Sequence, residues 1–197
     1  MTTSTASAVA KPSERPVGRD AVVTAVLGAA GELFAERGPA ATSIRDIAAR
    51  SGVNHGLVYR HFGTKEQLVA AVLDHLSDEV AAAVDADPTA PTMDPAIERH
   101  WRVLARSILD GYPVGQLQRR FPYVSGLVDR ARPANADELD ARIAAGNAVA
   151  LQLGWRVFEP FLRAAAGLDE LPDTRLREAI NRTTTTLLQS HVAPNPG

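Results

Sequence analysis

Apolar positions along this chain recur at intervals of three and four residues, which predicts helix over nearly all of residues 20–190. In residues 20–37, Val23, Val26, Leu27, Ala30, Leu33 and Phe34 fall on one stripe of an α-helix. Gly38-Pro39 stops that helix, because glycine accepts a left-handed backbone and proline cannot extend the hydrogen-bond ladder. Ser43 opens a second helix as N-cap, with Asp46 near the positive end of its dipole and Ile44, Ile47 and Ala48 facing inward. It ends at Ser51-Gly52. Asn54 is the next N-cap and opens a third helix of barely two turns through His61. Thr64 caps a fourth, with Gln67 at capping-box spacing, and Leu68, Val72, Leu73 and Leu76 carry it to about Val84.

Residues 85–95 hold three prolines and mark the expected hinge. A helix over 95–110 follows, with Glu98 and Arg102 spaced for an i,i+4 ion pair. Short helical pieces are expected near 114–120 and 123–131. A long helix starts around Asp137. Its positions Leu139, Ile143, Gly146, Ala150, Leu153 and Val157 step by four and three in turn, a heptad-like seam whose small members would let a second helix approach closely. Pro160 should kink or end it. A last helix, about 174–190, repeats the step with Leu176, Ile180, Thr183 and Leu187. Residues 183–186 are four threonines in a row, against helix propensity, and burial in a tight dimer seam would explain them. No strand pattern and no internal repeat interrupts this. The fold class is all-α.

Composition adds few exclusions. At 45% hydrophobic and 22% charged, the 197-residue chain has the make-up of a globular protein. It contains no cysteine, which removes disulfides, thiol catalysis and thiolate metal sites and fits a reducing cytoplasm. No apolar run is long enough to span a membrane. The net charge of −2 is unpromising for nucleic acid, but its distribution is uneven. Residues 1–66 carry eight basic against six acidic side chains, and residues 67–197 carry thirteen against seventeen. Residues 1–18 read as a polar, disordered arm without the order of a secretory signal, and 191–197 as a disordered tail. Lys11, Arg15 and Arg19 could take the arm into a minor groove, although a plain tail explains them equally well.

The second and third helices, joined by Ser51-Gly52-Val53-Asn54, have the spacing of a helix-turn-helix, a unit that also occurs as plain packing. The second helix of such a motif presents its N-terminal residues to base edges in a major groove. Val53, Leu57 or Val58, and Phe62 can anchor its inner side, leaving His55, Gly56, Tyr59 and Arg60 to face out. Gly56 costs about 1 kcal/mol of helix stability relative to alanine, and a close backbone approach is one reason to tolerate it. Thr64 and Lys65 stand at a helix N-terminus, a natural phosphate site.

Residues 20–76 resemble the N-terminal domain of TetR/AcrR-type transcriptional regulators. The resemblance rests on Ala30, Leu33-Phe34, Gly38, Ala41-Thr42-Ser43, Asp46-Ile47-Ala48, Gly52-Val53, Leu57-Val58-Tyr59, His61-Phe62 and Lys65-Glu66-Gln67-Leu68. It implies that Thr42, Ser43 and Arg45 touch the DNA backbone or an adjacent base. His55, Gly56, Tyr59 and Arg60 would enter the groove, with Asn54 opening that helix and Lys65 holding a phosphate. His61 would support the helix junction. The resemblance further implies a DNA-binding domain at 19–65 and an effector-binding and dimerisation domain at 66–190. The protein would be a homodimer on double-stranded DNA with a palindromic operator, a repressor released by a small-molecule effector, needing no cofactor.

Other features are weighed against plainer readings. Trp101, Tyr112, Phe121, Trp155 and Phe158 could line an effector pocket, although aromatic residues at helical spacing more often build core or interface. Arg102 and Arg106 would suit an anionic effector, against the plainer reading of a surface ion pair. His55 and His61 are wrongly spaced for a shared metal. Asp74, His75, Asp78 and Glu79 are better spaced, but a solvated helix face is the default, and no metal is expected. A helical enzyme is disfavoured because the chain lacks Gly-x-Ser-x-Gly, His-Glu-x-x-His, a phosphate loop and paired Glu-x-x-His motifs. The remaining alternative is a helical protein-interaction module of the same fold that has lost operator binding.

Overall fold

The computed structural model describes residues 16–86, 95–135 and 137–189. Lys11, Arg15, the proline-rich 87–94 and the tail at 191–197 lie outside the described residues. Every element among the described residues is helical: α1 Arg19–Arg37, α2 Ile44–Ser51, α3 His55–Phe62, α4 Lys65–Ala86, α5 Pro95–Leu109, α6 Val114–Leu117, α7 Pro122–Ala131, a 3-10 turn Arg132–Ala134, α8 Glu138–Ala166 and α9 Asp173–Gln189.

Local chemistry sets the ends of the short helices. The Ser43 hydroxyl accepts from the Asp46 N–H at 3.1 Å, and the Asp46 carboxylate accepts from the Ser43 N–H at 2.9 Å, a complete capping box for α2. Thr64 and Gln67 close the same box on α4, at 3.2 and 2.8 Å. The Asn54 side chain accepts from the Gly56 N–H at 2.8 Å and starts α3. Gly63, between α3 and α4, sits at φ 69°, where a Cβ would come within 2.1 Å of the Gln67 side-chain oxygen that completes the cap. Glycine is therefore required there.

Helix α1 is covered by α2, α4 and α5 together. More of its circumference is buried than one stripe: Val22, Val26, Ala29, Ala30, Leu33 and Phe34 are inside, while Val23 and Leu27 move to the half-buried flank. One core runs from Val26 and Phe34 through Ile47 and Val58 into Leu68, Val72 and Leu76 of α4, Val103 of α5 and Val114 of α6. The head thus shares its core with the first helices of the body. A second core joins α7, α8 and α9 through Leu127, Ala131, Ala141, Ala144, Ala145, Ala148 and Leu188. Its alanines let these helices pack closely.

Two features of the long helices are set by local hydrogen bonding. Helix α8 passes through Pro160 and continues to Ala166. Pro160 removes one N–H donor, and residues 161–166 still complete the last turns of the helix. Within the single chain the four consecutive threonines of α9 sit in regular helix. Each hydroxyl donates to the carbonyl four residues back, at 2.9–3.1 Å, and only Thr184 is buried.

Truncating Phe34, which is fully buried where head and body meet, should cost about 3–5 kcal/mol. Urea unfolding of Phe34→Ala should show this as an earlier midpoint. Tryptophan fluorescence, from Trp101 and Trp155 on body helices, should shift with the helical signal, because one core spans both parts.

Candidate nucleic-acid interface and effector-side cavities

Helix α3 is held by one face only. Val58 is fully buried, Val53 precedes it in the core and Phe62 packs against the same cluster. Leu57, the alternative anchor, is 37% exposed instead. The opposite face carries His55, Gly56, Tyr59 and Arg60, all exposed, with Tyr59 at 64%. Asn54 is exposed too, but its side-chain oxygen is occupied by the Gly56 cap. Gly56 places backbone without a side chain at the first turn of this face.

The flanking residues divide into outward and inward groups. Arg45 on α2 is exposed. Ser43 and Thr64 are exposed, but their oxygens already cap α2 and α4. Lys65 is half-buried, with its Nζ 3.4 Å from the Ala40 carbonyl, at the N-terminus of α4. His61 is half-buried at the α3–α4 junction. Thr42 corrects the expectation: it is 1% exposed, and its hydroxyl donates at 2.8 Å to the Gly38 carbonyl. It shapes the α1–α2 turn and does not face out, because that hydroxyl offers the buried carbonyl a partner water cannot reach.

The pattern of ion pairs selects among the basic residues of the head. Arg50 holds Glu32 at 3.0 Å and Glu36 at 3.2 Å, and Arg37 holds Asp46 at 3.0 Å. These pairs lock α2 against α1. The Arg50 guanidinium holds Glu36 below the usual carboxylate range; for Asp46, the Ser43 N–H and hydroxyl are the larger cause and Arg37 the smaller. Arg45 and Arg60 make no ion pair among the described residues, so their charge is available to a phosphate. Sequence reasoning also missed Asp110, just past α5, whose carboxylate accepts the Ala40 N–H at 2.7 Å across seventy residues of chain. No periodic signal marks so distant a pair.

On the body side, the five aromatic residues expected around one effector pocket do not converge. Trp101 and Phe121 line a cavity of about 30 Å³ together with Ser77, His100, Leu104 and Tyr123, and the Trp101 and Tyr123 rings meet edge to face at 5.3 Å. That volume suits a single water. Tyr112 instead packs against the head core, Trp155 lies between α8 and α9 beside Ile180, and Phe158 is 53% exposed. Only Trp101 and Phe121 meet at one cavity; Tyr112, Trp155 and Phe158 lie elsewhere.

The seam on α8 lies on its outer side. Leu139, Ile143, Gly146 and Ala150 are exposed and Leu153 and Val157 half-buried, opposite the buried Ala141, Ala144, Ala145, Ala148 and Gln152. Phe161, also exposed, continues this line. On α9 the expectation needs correction at Leu176, which is 4% exposed and packs within its own chain. Ile180 and Leu187 are half-buried and Thr183 exposed, because the core face of α9 is turned toward Thr184 and Leu188. The acidic group on α4 is engaged otherwise than by a metal. Asp78 pairs with Arg120, Glu79 with Arg99 and His75, and Asp74 accepts the Arg119 N–H.

A capped helix-turn-helix whose second helix bares a polar face, mounted on an all-helical body, defines a helix-turn-helix DNA-binding protein. Residues 26–72 match the family described as bacterial regulatory proteins, tetR family. The HTH-type transcriptional repressor Rv3405c of Mycobacterium tuberculosis (strain ATCC 25618 / H37Rv) is 57% identical over 176 residues, which cover 89% of this chain and 94% of that protein. The HTH-type transcriptional repressor KstR2 of Rhodococcus jostii (strain RHA1) is 39% identical over 69 residues, 35% of this chain and 34% of that one. A solved structure described as a gamma-butyrolactone receptor (ArpA like protein) superposes loosely, with a TM-score of 0.48 and 25% identity over 86% of this chain and 98% of that one. The chain belongs to the tetR family. It is a DNA-binding transcriptional regulator and not an enzyme. Among the described residues, no helix is long and apolar enough to cross a membrane.

His100 yields a prediction. Burial beside Trp101 pushes its imidazole down to about 4 from an ordinary 6.5. The unfolded chain therefore binds a proton that the folded chain refuses between those values, so stability falls as pH is lowered from 6.5 toward 4. The loss is on the order of 3 kcal/mol. Urea midpoints at pH 7 and pH 4.5 should differ less in His100→Asn than in the wild type.

Proposed function

We propose that the protein is a dimeric repressor that binds a palindromic operator through α3 and is released by a small-molecule effector held in the body, residues 66–190. The observation that carries this reading is the bare polar face of α3, with Arg45 on one side and Lys65 on the other. Bases and phosphates would be met together: His55, Gly56, Tyr59 and Arg60 in the major groove, Arg45, Ser43 and Lys65 on the backbone. Residues 19–65 would be the reading head.

Dimerisation is supported by the outer seam of α8, where Leu139, Ile143 and Phe161 expose apolar surface around Gly146 and Ala150. A monomer gains nothing from such a stripe, whereas a two-fold partner buries it. Two heads about 34–36 Å apart would then fit successive major grooves, which makes the operator palindromic. The high identity to a protein named a transcriptional repressor supports repression as the direction of control. Its place of action would be the cytoplasm, where DNA is reached. An effector acts by favouring a head spacing that no longer fits the duplex.

The test is binding of the purified protein to the DNA flanking its own gene, against a scrambled duplex, at two salt concentrations. A preference of about 10³-fold or more is expected, with a steep salt dependence. Tyr59→Ala and Lys65→Ala should each weaken binding about tenfold or more while sedimentation still shows a dimer. A chain that binds neither duplex at low salt is an interaction module and not a regulator of DNA.

A further inference from the structure

Between α5, α8 and α9 the surface opens into a cleft of about 420 Å³, in the range that accepts a small organic ligand. The aromatic cavity on the other side of α5 has about 30 Å³ and admits none without rearrangement. The charge of the cleft is uneven. Arg102, Arg106, Arg156 and Arg177 line it against Glu98 and Glu159. Glu159 is already bound by Arg163 at 2.8 Å. Glu98 must serve three guanidiniums at once, those of Arg156 at 3.2 Å, Arg102 at 3.6 Å and Arg177 at 3.7 Å. Arg106 has no ion-pair partner among the described residues.

A concave site with surplus guanidinium charge attracts an anion, and the planar fork of arginine favours a carboxylate. Ala105, Leu109 and Val157 supply an apolar wall beside the arginines. Arg156 forms the floor, with its guanidinium 5.4 Å from the centre of the Trp101 ring, its side chain only 11% exposed and its head bonded to the Gln152 carbonyl. This floor is fixed, whereas Arg102 and Arg106 stand at the open side and can turn toward a ligand.

The same helix reaches the head. Arg102, Arg106 and Leu109 lie one turn apart along α5, and Asp110 follows directly. The Asp110 carboxylate receives the Ala40 N–H at 2.7 Å and lies so close to Gly38 that a Cβ there would approach to 2.7 Å. Ala40 belongs to the turn that starts α2, and its carbonyl is also within reach of Lys65. A movement of the end of α5 is therefore passed to both sides of the helix-turn-helix.

We propose that this arginine-lined cleft is the effector site, that it takes an amphipathic carboxylate, and that its occupancy reaches the DNA-reading helices through Asp110. The inference rests on the regulator reading above for its output, though not for the binding itself.

Two independent measurements test it on the full chain. Calorimetry with decanoate and 2-naphthoate, against decanol and decylamine as uncharged and cationic controls, reads the cleft without DNA. Saturable binding of at least one carboxylate, weakened about tenfold or more in Arg102→Gln/Arg106→Gln and partly restored by Arg106→Lys in the Arg102→Gln background, is expected. Both positions are partly exposed, and circular dichroism should confirm that the variants fold. Binding of neither carboxylate, or binding unchanged by the double substitution, overturns the site. Fluorescence anisotropy on the DNA flanking the protein's own gene reads the coupling. The bound carboxylate should lower DNA affinity about tenfold, and Asp110→Ala should keep carboxylate binding while losing that response. Carboxylate binding that leaves DNA affinity unchanged overturns the effector role. If the unliganded protein binds no DNA, the regulator reading fails, while the calorimetry still decides whether the cleft binds anions.

Discussion

The burial of α1 between the helix-turn-helix and the body is the constraint on which the rest of the structure depends. Its inner residues Val26, Leu33 and Phe34 share one core with Ile47 and Val58 on one side and Leu73, Leu76 and Val103 on the other. So small a head buries only a modest fraction of its surface by itself. Leaning on α4 and α5 supplies further burial, and the same contact leaves the head sensitive to those helices. Mechanical coupling between the two parts of the molecule is in this sense a consequence of stability.

Around that core, polar chemistry does the positioning. Two capping boxes and an asparagine cap start α2, α3 and α4 at defined residues, and Arg37 and Arg50 bind α2 to α1. Exposed pairs of this kind contribute little stability individually. Their value here is geometric: they fix the angle at which α3 presents Tyr59 and Arg60, and they remove two arginines from the set that can meet phosphate. The body uses its arginines differently. Arg156 is drawn inside against Trp101, while Arg106 stands at the mouth of a cleft and makes no ion pair among the described residues.

Much of the head was legible because its determinants are local. A cap is a matter of three or four residues, and a stripe of two turns, so the limits of α2, α3 and α4 and the outward set His55, Gly56, Tyr59 and Arg60 could be read directly. The body was less legible for a matching reason. The aromatic residues Trp101, Tyr112, Phe121, Trp155 and Phe158 look alike in a sequence, yet only Trp101 and Phe121 line a common cavity, and Phe158 is exposed. Leu176 and Thr183 share a heptad-like step, but only the rotation of α9 in its groove puts the first inside and the second out. Pro160 shows the limit of a local rule, since α8 runs through it to Ala166.

By itself the sequence determined the helices, their caps, the helix-turn-helix and the family resemblance, all of which depend on neighbours within a few residues. Only the tertiary structure decided that Thr42 turns inward, that Asp110 grips the Ala40 N–H, and that four arginines from three helices meet in one cleft. Those facts depend on which distant segments touch. Contacts across seventy residues leave no periodic trace in the chain, because they arise from the packing of whole helices and not from the preferences of any one of them.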